Sequence, residues 1–247
     1  MPTASSLTIV LPAYNEAKRI GPALDDLMRY LRGRGQQELP RDVEVLVVDD
    51  GSTDGTVAAV EKRADPAIRI LRVPHGGKGA AVRAGMLKAT GEAVIFADAD
   101  MATPPTELPK LVRALEFADV ALGSRIQPDG SDMRATQPRY RRALGALFHL
   151  LASIWVVGDV RDTQCGFKGF TRAAARDIFA RQKVTSIVFD VELIHLARRR
   201  GYRLQIVPIA WEDVRGSRMR PGVRLALRVA WDLLRIPLLH RGVSKLR

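Results

Sequence analysis

Cysteine is nearly absent from this chain. Cys165 is the only one in 247 residues, which excludes an internal disulfide and fits a reducing compartment. Aromatic residues are scarce at 6%, and no RNP, zinc-finger or basic-zipper pattern occurs, which argues against nucleic acid as a partner. His75, His149, His195 and His240 are scattered without metal-site spacing and read as structural or surface residues. No apolar run reaches the ~18 uninterrupted residues of a transmembrane helix. The opening Met1-Pro2-Thr3-Ala4-Ser5-Ser6 lacks the charged-then-apolar pattern of a secretory leader. Neither an internal repeat nor a clear linker divides the chain. One domain over residues 1–221 is therefore expected, followed by a basic tail over residues 222–247.

Acidic residues are also in deficit. Asp and Glu total 27 against 39 Lys and Arg, for a net charge of +12. From Ala197 onward thirteen basic residues face three acidic ones, so most of the excess lies there. Such a balance suits an anionic partner, either phosphorylated substrates or an anionic membrane surface. A solvated basic face is the simpler alternative.

What is abundant is apolar sequence, 47% of the chain, arranged in short runs. Leu7–Leu11, Val43–Val48, Ile68–Val73, Ala93–Ala97 and Val120–Gly123 read as buried strands. Helical stretches separate them, at about Glu16–Leu31, Asp54–Arg63 and Gly79–Ala89, with another opened by Thr103-Pro104-Pro105. This alternation predicts an α/β fold, a mostly parallel sheet with helices on both faces. The second half reads as helices at Arg139–Ile154, Arg172–Arg181 and Val191–Arg200, with a strand at Leu204–Pro208. Asp162–Phe170 reads as a polar, glycine-containing loop leading to a short strand, and a basic loop covers Pro208–Pro221.

Ligands on such sheets bind beyond the carboxyl ends of the strands. Three polar motifs fall there: Pro12–Glu16, Asp49–Thr53 and Asp98–Asp100. Asp98-Ala99-Asp100 carries the most chemistry. Two carboxylates two residues apart share one side of an extended segment. Left unpaired they repel; a hard divalent ion, Mg²⁺ or Mn²⁺, removes that penalty. Both are candidate metal ligands. Lys78 lies in a glycine-rich turn, where the backbone can approach a phosphate closely, although an ordinary exposed lysine would look the same.

The end of the chain is amphipathic from Gly222 to Leu239. Arg224, Arg228 and Arg235 fall on one helical side with Asp232 near them, and leucines, Val229, Trp231 and Ile236 cover the rest. Two placements satisfy this pattern: a helix lying in a membrane interface, or one packed on the domain or on a second subunit, as in a homodimer.

Four segments in order, Val10-Leu11-Pro12-Ala13-Tyr14-Asn15-Glu16, Val47–Thr56, Gly76–Ala81 and Phe96–Asp100, resemble the family 2 glycosyltransferases of the GT-A fold. Asp162–Lys168, Phe189–Glu192 and Trp211–Arg218 narrow the resemblance to the dolichyl-phosphate β-glucosyltransferase branch, near the mannose synthases. The resemblance implies an inverting, metal-dependent transfer from a nucleotide sugar, UDP-glucose before GDP-mannose, to a polyprenyl phosphate. It also implies a cytoplasmic enzyme, peripheral at the cytosolic membrane face. A soluble hydroxyl acceptor is the rival, with Asp190 or Asp162 then acting as base.

The same resemblance assigns donor binding to Pro12, Ala13, Tyr14, Glu16, Asp49, Asp50, Lys78 and Asp98. Asp100 is the primary metal ligand, with Asp98 nearer the ribose or behind the metal. Asp162, Gln164 and Asp190 join Asp100 at the reaction centre. Arg125, Arg141, Arg142 and Arg218 match positions that hold the acceptor phosphate, for which arginine's planar fork is suited. Alone, Tyr14 would more often be core, Asp50 a turn cap, Asp190 a helix cap and each arginine a surface residue. Mannose synthases of the group often carry a glutamine where this chain has Ala102, which favours the glucosyl branch.

Overall fold

A computed structural model describes residues 4–133, 160–212 and 223–246, with side chains in the last segment from residue 228. The strands are β1 (Ser6–Ala13), β2 (Asp42–Asp49), β3 (Ile68–Arg72), β4 (Ala93–Ala97), β5 (Val120–Ser124), β6 (Phe167–Thr171) and β7 (Leu204–Pro208). They form one sheet in the order β3-β2-β1-β4-β6-β5-β7. All neighbours pair in parallel except at β6, which runs antiparallel to both β4 and β5. The mostly parallel sheet expected from the sequence is therefore present, with one inverted strand inserted beside β4.

Alternating side chains feed two cores. Val10, Val48 and Phe96 point into one, while Ile9, Leu11, Val47 and Ile95 point into the other. On the second face, α1 (Ile20–Arg32) buries Ile20, Leu24, Leu27 and Met28, a helical stripe. On the first, α4 (Lys78–Lys88) lies close over β1 and β2. A Cβ on Gly85 would stand 2.4 Å from Val10 Cγ1, so glycine sets that approach. The short helices α2 (Gly35–Glu38), α3 (Thr56–Glu61) and α5 (Leu108–Ala114) fill the connections. α6 (Arg172–Arg181) and α7 (Phe189–Arg200) extend the first core.

Three local expectations are corrected. The stretch Asp162–Phe170, expected as loop, already enters β6 at Phe167, because its apolar residues pair with β4 and β5. Helix α1 starts at Ile20 rather than Glu16, because the residues before it are engaged in a loop described below. Thr103 caps no helix: a 3₁₀ turn, Pro105–Glu107, intervenes before α5 and no side chain caps either element. The helix expected at Arg139–Ile154 and most of the basic loop before Pro221 lie outside the described residues.

The last helix, α8 (Val223–Leu239), packs on the domain through Asp232, Leu233 and Ile236, followed by His240, all buried. Trp231, Leu234 and Leu238 stand exposed on its outer side. Among the described residues no helix is long and apolar enough to cross a membrane.

Candidate active site

The carboxyl ends of β1, β2 and β4 open into three loops that meet. The loop after β1 turns at Asn15, whose φ of 55° is a left-handed value that asparagine tolerates. Asn15 Oδ1 accepts the Thr53 amide at 2.8 Å, and its own amide donates to Ser52 Oγ at 2.9 Å. Glu16 N donates to Thr56 Oγ1 at 2.7 Å. The first two motifs are thereby stitched into one wall. The Glu16 carboxylate takes both Arg19 donors at 2.6 and 2.7 Å, and this swings the Arg19 guanidinium to 4.0 Å from Asp100. Tyr14, which the sequence left between core and wall, is partly exposed and stacks on His75 at 4.2 Å.

Asp49 and Asp50 are both buried at the end of β2. Asp49 lies 3.3 and 3.4 Å from the Ser52 amide. Asp50 accepts the Gly76 amide on one oxygen at 2.8 Å and the Gly77 amide on the other at 3.0 Å; His75 Nδ1 lies 2.9 Å away. Its carboxylate thus moulds the glycine turn. Gly77 adopts φ 89°, a conformation open to glycine, and delivers Lys78 to the first turn of α4.

Lys78 Nζ meets Asp98 Oδ1 at 2.5 Å. The aspartate pair does not lie on an extended segment. β4 stops at Ala97, and the Met101 amide closes a turn onto the Asp98 carbonyl at 3.0 Å, leaving Met101 at φ 50°. The register Ala97↔Phe167 sets Asp98 against Gly166, just before β6, and the missing side chain there leaves room for the Asp98 carboxylate. A Cβ there would stand 2.2 Å from Asp98 Oδ2.

Asp100 remains 29% exposed and accepts the Ala102 amide at 3.2 Å. Burial and the Asp98 charge raise its pKa, against the Ala102 amide, Arg19 and Lys78. Burial pulls the Lys78 ammonium down, but Asp98, Asp190 and Asp100 together outweigh it and leave its pKa above the ordinary value. Among the described residues no group of three or more His, Cys, Asp or Glu is placed to hold a metal. Asp98 and Asp100 supply two hard oxygen donors, which fits a divalent ion that completes its shell with water and phosphate oxygens.

Of the acceptor-side and reaction-centre candidates, Arg125 and Asp162 engage each other, while Asp190 and Gln164 take other partners. Arg125, following β5, holds Asp162 by two guanidinium bonds of 2.6 and 2.8 Å and a backbone bond of 2.8 Å, and stacks 5.5 Å over Trp211. Asp190 is the second residue of α7, not its cap, and pairs with Lys168 at 2.6 Å; both are buried. Burial raises the Asp190 pKa, with Lys168 and Lys78 opposing. Gln164 Nε2 points to the Ile187 carbonyl at 3.4 Å. Arg141, Arg142 and Arg218 lie outside the described residues.

Gly166, Arg19, Lys168 and His75 were not singled out from the sequence as site residues. Lys168 was the findable one: a lysine in the otherwise uncharged run Phe167-Lys168-Gly169-Phe170 demands a buried carboxylate.

Residues 8–179 match the family described as glycosyl transferase family 2. The chain is 39% identical to a dolichyl-phosphate beta-glucosyltransferase of Trichomonas vaginalis, over 98% of this chain and 73% of that protein. It is 38% identical to one from Drosophila melanogaster (87% and 69%) and 34% identical to the human one (87% and 70%). The structure is similar to glucosyl-3-phosphoglycerate synthase of Mycobacterium tuberculosis with bound UDP, at TM-score 0.66 and 21% identity, covering 98% of this chain and 82% of that one. A crystal of that synthase with Mn²⁺, UDP-glucose and phosphoglyceric acid gives TM-score 0.67 at 20% identity, covering 98% and 81%. At that identity the likeness speaks for a shared GT-A fold.

Proposed function

The chain belongs to glycosyl transferase family 2, and on that premise we propose that it transfers glucose from UDP-glucose to the phosphate of a polyprenyl lipid such as dolichyl phosphate. The observation that carries this reading is the state of the two candidate bases. Asp162 is locked to Arg125 and Asp190 to Lys168. Each carboxylate is buried with a cation, so neither stands ready to take a proton from a sugar hydroxyl. A phosphate acceptor arrives already ionised and needs no base.

In the proposed step an acceptor phosphate oxygen attacks the anomeric carbon of the sugar. The bond from that carbon to the diphosphate breaks, and its electron pair leaves with UDP. One displacement inverts the centre and gives a β-linked lipid-phosphate sugar. Lys78, raised in pKa and set at the first turn of α4, offers a cation and a helix N-terminus to the leaving diphosphate. Asp100 and Asp98 are the residues that would hold Mg²⁺ or Mn²⁺, which when bound would neutralise diphosphate charge. Tyr14 and the buried Asp49 form the base and ribose side of the wall. Arg125, anchored by Asp162 and stacked on Trp211, is assigned with Arg141, Arg142 and Arg218 to the acceptor phosphate. Trp231, Leu234 and Leu238, with the exposed Arg228, suit an anionic membrane surface on the cytosolic side.

The test is a panel of labelled nucleotide sugars with Mg²⁺ or Mn²⁺ and a polyprenyl phosphate. Label from UDP-glucose should enter the organic phase. Label that stays with a water-soluble acceptor would overturn the lipid assignment, and preference for GDP-mannose would overturn the sugar.

A further inference from the structure

The segment between α6 and α7, residues 182–188, is irregular backbone gripped from two sides. On one side it touches the glycine turn that carries Lys78. The Thr185 carbonyl accepts the Gly79 amide at 3.2 Å, and Gln182 Nε2 donates to the Gly79 carbonyl at 2.9 Å. A Cβ on Gly79 would lie 2.8 Å from the Thr185 carbonyl, so the two backbones are in direct contact.

On the other side the segment is held by the end of the chain. Glu192 on α7 accepts the Lys183 amide at 2.9 Å and the Val184 amide at 2.8 Å. His240 closes on the same carboxylate, with Nε2 2.7 Å from Oε1, and both side chains are buried. Asp232 on α8 accepts the Ser186 hydroxyl at 2.6 Å and is paired with Arg235 at 2.6 Å. Lys183 Nζ donates to the Leu239 carbonyl at 2.9 Å.

From these contacts we propose that Asp232, His240 and Glu192 are positioning residues for the diphosphate end of the donor site. They fix residues 182–188, and those residues fix the Gly77–Gly79 turn and hence Lys78. Helix α8 is thus the far support of the phosphate loop. A carboxylate binding two amides and a ring nitrogen cannot shift without releasing one of them. This inference rests on the assignment of Lys78 to the donor diphosphate for its catalytic meaning, but the mechanical link does not.

The experiment uses the full chain in detergent, without a bilayer, and compares wild type with Asp232→Asn, Ser186→Ala and His240→Gln. Ser186→Ala is the mildest and guards against a variant that fails to fold. Amide hydrogen exchange over residues 77–81 is measured first, without nucleotide, and UDP binding second. Exchange in that turn should rise about tenfold for loss of one such buried bond, with strands β1 and β4 unchanged. UDP affinity should fall by a similar factor while KM for the lipid acceptor holds. Phe117→Ser, at an exposed residue outside this network, should move neither donor readout. Unchanged exchange at 77–81 in all three variants would overturn the link. Faster exchange with unaltered UDP affinity would overturn the positioning role, whereas the Lys78 assignment fails only if Lys78→Ala itself leaves UDP affinity unchanged.

Discussion

Gly166→Ala is the sharpest perturbation the structure offers. The added methyl would stand 2.2 Å from Asp98 Oδ2 and 2.5 Å from Asp98 Cγ. An ordinary carbon contact begins near 3.4 Å. Something must therefore move by more than about 1 Å, and the cheapest mover is the Asp98 carboxylate, the end of a rotatable side chain. Gly166 itself is not at positive φ, so alanine adds no backbone strain. The fold should survive with a stability change of about 1 kcal/mol, but Asp98 must leave its 2.5 Å contact with Lys78. A misplacement of about 1 Å at a reacting centre costs on the order of 100-fold in rate. The assay pairs initial rates of glucosyl transfer with thermal denaturation. A variant that turns over at the wild-type rate, with its melting temperature unchanged, would refute the placement of Asp98 in the site.

Asp100→Asn should reduce transfer below detection yet raise the melting temperature at neutral pH. Because burial and Asp98 raise the folded pKa of Asp100, its stabilising contribution is complete below the unfolded value of about 4 and is lost as pH rises through the folded one. The melting-temperature gap between variant and wild type should therefore widen from pH 4 to pH 7; a gap that stays flat contradicts the reading. Arg125→Ala leaves the Asp162 carboxylate buried without its cation, at a cost of about 3–5 kcal/mol, so the melting temperature should drop by on the order of 10 °C. A drop under about 2 °C would show that the pair is not structural. Burial, with Asp162 adding to it, pushes the Cys165 thiol up to about 12. Iodoacetamide at pH 8 should leave native protein unlabelled and label it in guanidinium; rapid native labelling would place Cys165 at the surface.

The chain alone carried the architecture and the chemistry of its motifs. The runs at Ala93–Ala97 and Leu204–Pro208 and the helix at Arg172–Arg181 were legible at their observed ends, because apolar periodicity and punctuation are local properties. The carboxylates, the glycine turn and Lys78 could be located beyond the strand ends, but the roles given to them came from the resemblance. Tertiary structure decided which of these groups are committed to one another. Nothing local says that Arg19 reaches Asp100, that Asp50 spends both oxygens on Gly76 and Gly77, or that Arg125 and Lys168 neutralise Asp162 and Asp190. Those pairings join residues far apart in the chain and follow from strand order, the Lys168 pairing from β6 inserted antiparallel beside β4. A strand's apolar pattern is the same in either direction, so that insertion, and the place of Gly166 against Asp98, could come only from the assembled sheet.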